Sequence, residues 1–219
     1  MAKFVGNAFS QMQNVDFGIF STAYFPPISY VAKLLLCKSI VFENNEYYVK
    51  QTYRNRCKIL TANGIMDLSI PVEKPNGAKT LIKDIRIANS ENWQIVHLRT
   101  IESSYSNSPF FEYYQDDFLP FFIKKYDFLI DFNFKLLQKI CELLEIDFSN
   151  FSFTSEYFEN QNAENIADFR NSFNPKKENR FEQMPYYQVF TEKFGFVENL
   201  SIIDLLFNLG NESQEYLMF

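Results

Sequence analysis

Residues 47–72, YYVKQTYRNRCKILTANGIMDLSIPV, constrain the fold more than any other stretch of the chain. Asn63-Gly64 at its centre offers two residues that tolerate φ > 0, as a two-residue type I′ hairpin turn demands. That turn sets Thr61 against Met66, Ile59 against Leu68 and Cys57 against Ile70. All six share one face, because alternate strand residues point the same way. The other face carries Arg56, Lys58, Asp67 and Ser69, with Leu60 across from Asp67. Such a ribbon lays its apolar side on a core and presents a polar side that begins at Arg54-Asn55-Arg56.

A chain of 219 residues can bury a sizeable core, and here 26 Phe and 13 Tyr take the place of aliphatic filler. A formal net charge of −6 argues against general nucleic-acid binding, which needs a basic face. Lys50, Arg54, Arg56 and Lys58 leave room for a local basic patch. No apolar run approaches the ~18–20 residues of a membrane span, so membrane insertion is not expected. The start, MAKFVGNAFSQMQNVDFGIF, lacks a signal-peptide pattern. Cys37, Cys57 and Cys141 are odd in number and lie in apolar surroundings, which fits reduced thiols in a cytoplasmic protein. A lone histidine and no CxxC make a metal centre unexpected.

In chain order, residues 15–23 predict a buried strand, and Pro26-Pro27 opens a helix through Ile28, Val31, Ala32 and Leu35. Ser39–Phe42 predicts the next strand of an α/β unit, and Tyr47–Tyr53 a β-prone run into the hairpin. Residues 73–77 read as a loop by composition, and Leu81–Ile87 alternates apolar and charged residues like a further strand. Ser90 is placed to cap a helix over 91–105, and Ser108-Pro109 to open another that Pro120 interrupts. Leu129–Ile146 carries the clearest helical stripe, Leu136, Leu137, Ile140 and Leu144. Residues 147–180 predict an irregular, partly ordered excursion, and 181–219 a C-terminal extension packing back. Within that extension Asn199 or Ser201 caps a helix over Asp204–Leu209 that Gly210 ends. The fold class expected is α/β: a single domain with a mixed sheet, the hairpin at Asn63-Gly64, flanking helices and a helical C-terminal extension.

Several side chains qualify for chemistry. Arg54 and Arg56, at i and i+2 of a strand, share a side and could grip a phosphate from two points. The bland alternative pairs them with Glu43, Glu46 or Asp67 on a solvated face. Lys50, Asn55 and Tyr24 stand beside them in sequence as further phosphate or substrate contacts. His97, the one side chain whose ordinary pKa lies near neutrality, is the candidate base, against a packed role beside Trp93 and Ile101. Tyr105 and Asn107 could orient a hydroxyl or carbonyl, although a Tyr at helical spacing often belongs to a core. Cys57 faces the core side and is an inert thiol. Asp116-Asp117 point to different, solvated faces, and Asp204 should either pair with an arginine or cap its own helix.

YFPPISYVAKL, YVKQTYRNRCKI with NGIMDLSIPV, NWQIVHLRTIESSYSNSPFFEYY and YYQVF…FGFVENLSIIDLLFNLG, in this order, resemble the WbqC-like family of bacterial proteins. Members of that family occur in gene clusters for surface-polysaccharide (O-antigen) assembly, and a glycine-transferase role has been suggested for one. The resemblance implies a cytoplasmic enzyme that modifies an activated sugar, and the role expected here is a transferase placing an acyl or aminoacyl (glycyl) group on an activated amino sugar. Its partner would be a nucleotide-sugar or another activated small molecule, with a partner protein also open and no cofactor specified. Arg54 and Arg56 would hold phosphate and His97 would take the proton. Two alternatives stay open. A nucleotidyltransferase-like enzyme would use the strand–proline turn–helix unit, and a non-catalytic module would dock a polysaccharide enzyme.

Overall fold

The computed structural model describes residues 15–74, 79–159, 165–176 and 181–218. Its centre is a parallel β–α–β unit: β1 (Val15–Phe20), α1 (Ile28–Leu34) and β2 (Cys37–Phe42). Pro27 precedes α1 in extended backbone, and as the N-cap it needs no N–H of its own. β1 and β2 pair from Val15↔Cys37 to Phe20↔Phe42. Two three-residue strands, β5 (Phe151–Phe153) and β6 (Ile166–Asp168), complete a four-stranded sheet of order β5-β2-β1-β6. Every pairing in it is parallel. The stretch 147–180 therefore supplies both edge strands, where an irregular excursion is expected; three residues are too few to display a period.

The hairpin forms as a separate ribbon, β3 (Arg56–Thr61) against β4 (Gly64–Ser69). Parallel and antiparallel pairing thus coexist, divided between two sheets. The turn itself sits one residue earlier than a type I′ reading puts it. Ala62-Asn63 make the turn, and Gly64, at φ +102°, already pairs with Thr61. The Thr61 hydroxyl fixes the turn by accepting from the Asn63 amide at 3.1 Å and donating to the Gly64 carbonyl at 2.9 Å. The register moves by two residues, so Ile59 faces Met66, Cys57 faces Leu68 and Lys58 faces Asp67. An even shift keeps each side chain on its expected face. Cys57, Ile59, Leu68 and Ile70 are buried, while Met66 is exposed.

The helices are α2 (Trp93–Tyr105), α3 (Phe111–Ile123), α4 (Leu129–Leu143), α5 (Thr191–Phe194), α6 (Ile202–Leu209) and α7 (Glu212–Met218). α2 starts after Asn92 without a side-chain cap, so Ser90 does not serve as one. α3 runs through Pro120, which is exposed and removes only its own N–H from the ladder. Ser201 is the N-cap residue of α6, and Gly210 ends the helix at φ +58°. Two expected strands do not form. Tyr47–Tyr53 is a series of turns with a single bridge, Tyr47↔Leu81, and Leu81–Ile87 holds a 3₁₀ turn over Ile82–Asp84. Ile82 and Ile85, three apart, are both buried by that turn, a spacing that suits a 3₁₀ helix and not a strand. Apolar side chains from Phe20 to Leu217 join one core, in which Phe42, Phe132 and Phe207 are among the largest fully buried.

Candidate functional site at the sheet edge

All four parallel strands end at the same edge. One more backbone bond past each pair fixes the first residues of the exit loops: Glu43 N to Phe20 O (2.8 Å), Thr154 N to Phe42 O (2.9 Å) and Phe169 N to Ile19 O (2.7 Å). Ser21-Thr22, Glu43, Thr154 and Phe169-Arg170 thereby stand side by side. Open α/β sheets bind ligands at this edge, where neighbouring strands diverge in order. Here β1 has β2 on one side and β6 on the other.

The edge is charged and buried. Glu43, 0% exposed, accepts from the Asn45 amide (2.8 Å), Thr154 Oγ1 (2.7 Å), the Phe158 amide (2.8 Å) and Arg170 Nη1 (3.2 Å). Arg170 also grips Asp168, with Nε at 3.0 Å from Oδ1 and Nη2 at 2.6 Å from Oδ2. Burial pushes the Asp168 carboxyl up, but the hydrogen bonds from Arg170 outweigh it and leave it below the ordinary carboxylate range. The bonds to Asp168 raise Arg170 in return. Tyr157 stacks over this guanidinium, 5.0 Å from ring centre to charge centre.

Arg54 arrives from the turn before the hairpin. Its Nε and Nη2 bind the two Glu46 oxygens at 2.8 and 2.6 Å, and Nη2 reaches Ser21 Oγ at 2.7 Å. The base of the hairpin sets its position. Asn133, wholly buried on α4, donates to the Arg54 carbonyl (2.7 Å), and the Tyr24 amide donates to the Tyr53 carbonyl (2.8 Å). These groups close around a small space of about 10 Å³, lined by Ser21, Thr22, Tyr30, Arg54, Phe169, Arg170 and Phe173, among others. The turn above it, Tyr24 to Pro27, carries Phe25 at φ +38°, a strained conformation for an aromatic residue.

The remaining candidates lie elsewhere. Arg56 reaches Ser69 Oγ (3.1 Å) and Asp67 (3.0 Å) on the outer face of the ribbon. Arg54 belongs to a turn and not to β3, so the two guanidinium groups do not share a side and make no clamp. Lys50 and Asn107 are exposed, and Asn55 ties the hairpin by donating to the Ile70 carbonyl (2.9 Å). His97 is 4% exposed, with Nδ1 2.8 Å from Tyr24 Oη and the ring packed edge-to-face with Trp93. Burial lowers its pKa to about 4, with a backbone bond to Ser69 opposing the shift, so the ring is neutral near pH 7. His97 and Arg54 share no hydrogen-bond partner among the described residues, and the imidazole does not line the small space beside Arg54.

Tyr105 lies in a second buried network. It donates to Asp204 at 3.0 Å, beside Tyr186 (2.5 Å) and Gln188 Nε2 (3.1 Å). Asp204 is therefore held by two phenols and an amide; neither an arginine nor its own helix end is its partner. Burial raises its pKa to about 6, against the pull of these donors. Asp116 is exposed and Asp117 pairs with Lys139 at 3.5 Å. All three cysteines are free thiols, and burial puts Cys57 well above its ordinary pKa.

Arg170, Asp168 and Ser21 escape a reading of the sequence; Glu43, expected as a partner of Arg54 or Arg56, pairs with Arg170, while Arg54 takes Glu46 and Arg56 takes Asp67. A faint signal exists: a charged or hydroxylated residue comes directly after β1, β2 and β5 (Ser21, Glu43 and Thr154), and Arg170 stands two residues past the end of β6. Among the described residues no three His, Cys, Asp or Glu side chains are arranged to hold a metal, and no helix is long and apolar enough to cross a membrane.

The "Uncharacterized protein Rv1507c" of Mycobacterium tuberculosis (strain ATCC 25618 / H37Rv) is 23% identical over 224 residues, covering 92% of this chain and 96% of its own. No solved structure matches the chain. The profile of the WbqC-like protein family matches residues 22–177, a span that contains the hairpin, Glu43, Arg54 and Arg170, and the chain belongs to that family.

Proposed function

We propose that this WbqC-like protein is a cytoplasmic transferase acting on an activated sugar in surface-polysaccharide assembly. Its substrate lies at the carboxyl edge of the parallel sheet, against Ser21, Thr22, Arg54 and Arg170. One observation carries this reading: two buried guanidinium groups meet the buried carboxylates of Glu43 and Glu46 and the half-buried one of Asp168 at the end of β1. Buried charges demand costly compensation, so such clusters gather where a ligand is bound and oriented. The family resemblance adds the transferred moiety, an acyl or aminoacyl group. In this reading His97 is a positioning residue that holds Tyr24 beneath the turn, and the charged sheet edge supplies the contacts to substrate. Three free thiols support the cytoplasmic assignment.

The test is turnover of a panel of nucleotide-activated amino sugars with acyl and aminoacyl donors by the full chain. Ser21→Ala removes a hydroxyl that contacts both Arg54 and the Arg170 carbonyl. It should lower kcat/KM at least ~10-fold, about 1.4 kcal/mol of transition-state stabilisation, with little change in Tm. Binding of a nucleotide-sugar without turnover under any donor would reduce the protein to a binding module.

A further inference from the structure

We infer, resting on the transferase reading above, that the phosphates of the activated substrate bind in an open cleft beside the sheet edge, between Lys74, Lys79, Thr80 and Arg86. At the edge itself both guanidinium forks are filled, Arg54 by Glu46 and Arg170 by Asp168. A phosphate there would have to expel a carboxylate and leave it unpaired. The cleft is different. It measures about 430 Å³, within the ~300–1,000 Å³ usual for small-molecule sites, and Lys74, Lys79 and Arg86 are exposed along it. One residue joins the two places. Glu46 holds Arg54 by its side chain, and its carbonyl accepts from the Ile82 amide at 2.9 Å, next to Leu81 and Thr80.

Backbone bonds fix the walls of the cleft. On one side the Tyr48 amide donates to the Thr80 carbonyl at 2.9 Å, and Tyr47 bridges Leu81. On the other the Glu73 amide donates to the Arg86 carbonyl at 3.0 Å, and Arg86 bridges Phe128. Ile82 and Ile85, both buried, anchor the 3₁₀ turn between them. Aromatic rings then steady two of the cations. The Arg86 guanidinium lies 4.8 Å from the centre of the Phe128 ring, and the Lys79 ammonium 5.4 Å from that of Tyr47. A guanidinium stacked by its face keeps its N–H edge free, the edge that recognises phosphate from two points.

The charges are left open. Among the described residues Lys74, Lys79 and Arg86 form no ion pair, although Glu73 and Asp84 line the same cleft. Arg54, Arg56 and Arg170, by contrast, each hold a carboxylate. Three cations against two carboxylates make the cleft positive in a chain whose formal net charge is −6. Donors from three separate points of the chain suit a ligand with several anionic oxygens, as a diphosphate has. Glu73 and Asp84 offset part of the field, so the Arg86 fork and not bulk charge does the selecting.

The experiment is a phosphorus NMR titration of inorganic pyrophosphate with the full chain in metal-free buffer. Pyrophosphate should broaden on binding, UDP should displace it, and uridine should not. Arg86→Gln should weaken binding at least ~10-fold, and Arg86→Lys, which keeps the charge but not the fork, should remain weakened at least ~3-fold. Arg99→Gln, at an exposed arginine of α2 outside the cleft, should bind as the parent does. All three changes fall on exposed side chains and should leave Tm unchanged. No pyrophosphate binding, parent affinity in Arg86→Gln, or an equal loss in Arg99→Gln would each overturn the inference. Turnover of a nucleotide-sugar with the parent KM in Arg86→Gln would overturn it while keeping the transferase. Fork-dependent pyrophosphate binding without any transfer reaction would do the reverse.

Discussion

Arg54 and Glu46 illustrate how a buried ion pair behaves as a unit. Both are nearly inaccessible, and the pair is two-point, with N–O distances of 2.6 and 2.8 Å. Removing one partner strands the other charge inside the protein, whereas removing both costs little. Arg54→Met should therefore destabilise the fold by about 3–5 kcal/mol in urea unfolding, and Arg54→Met with Glu46→Gln should recover most of that loss. If the pair also serves the site, the double variant stays folded yet loses turnover. Recovery of turnover along with stability would make the pair purely structural. Arg170 cannot be treated this way, because it joins two carboxylates from different strand ends, Glu43 and Asp168.

Among the elements, two glycines end or bend structure by means of positive φ, and their surroundings set different costs. Gly64, at φ +102°, has only the Phe194 ring within reach of an added Cβ, at 3.9 Å. Gly210 closes α6 at φ +58°, ψ −128°, and a Cβ there would meet the Phe110 ring at 2.6 Å. Gly64→Ala should cost about 1 kcal/mol, the backbone penalty alone, and Gly210→Ala about 2–4 kcal/mol because overpacking adds to it. Thermal unfolding of the two variants side by side checks the order. Equal losses would mean that the Phe110 ring moves aside freely. The hairpin is a good place for a glycine to act cheaply, since its tip is exposed at Ile65 and Met66.

Across the molecule, two buried groups oppose each other over the acid range. His97 has its pKa lowered from 6.5 to about 4, so its contribution to stability is present above pH 6.5 and lost as pH falls through about 4. Asp204 has its pKa raised from 3.8 to about 6, so its contribution is full below pH 3.8 and lost as pH rises through about 6. Each is worth roughly 3 kcal/mol at its limit, and with opposite signs they nearly cancel between pH 6 and 4. Asp204→Asn should make Tm fall more steeply than in the parent protein from pH 6.5 to 4.5. His97→Gln should make it fall less steeply. Parallel pH profiles for all three would show that neither group titrates with folding.

Elements with a local cause are legible in the chain alone. Pro27 starts α1, the stripe at Leu136, Leu137, Ile140 and Leu144 makes α4, and Ser201 and Gly210 bound α6. The faces of the hairpin come from alternation, and a register shift of two residues left them untouched. Anything set by partners distant in the chain had to wait for the packed fold. β5 and β6 are strands only because β2 and β1 offer them hydrogen bonds. Arg170 and Glu43 are 127 residues apart, and nothing near either one announces the other. His97 is chemically the natural base on paper, yet burial against Trp93 and Tyr24 removes it from solvent. Local propensity and period are properties of neighbouring residues, whereas a site is a meeting of strand ends that only the packed sheet brings about.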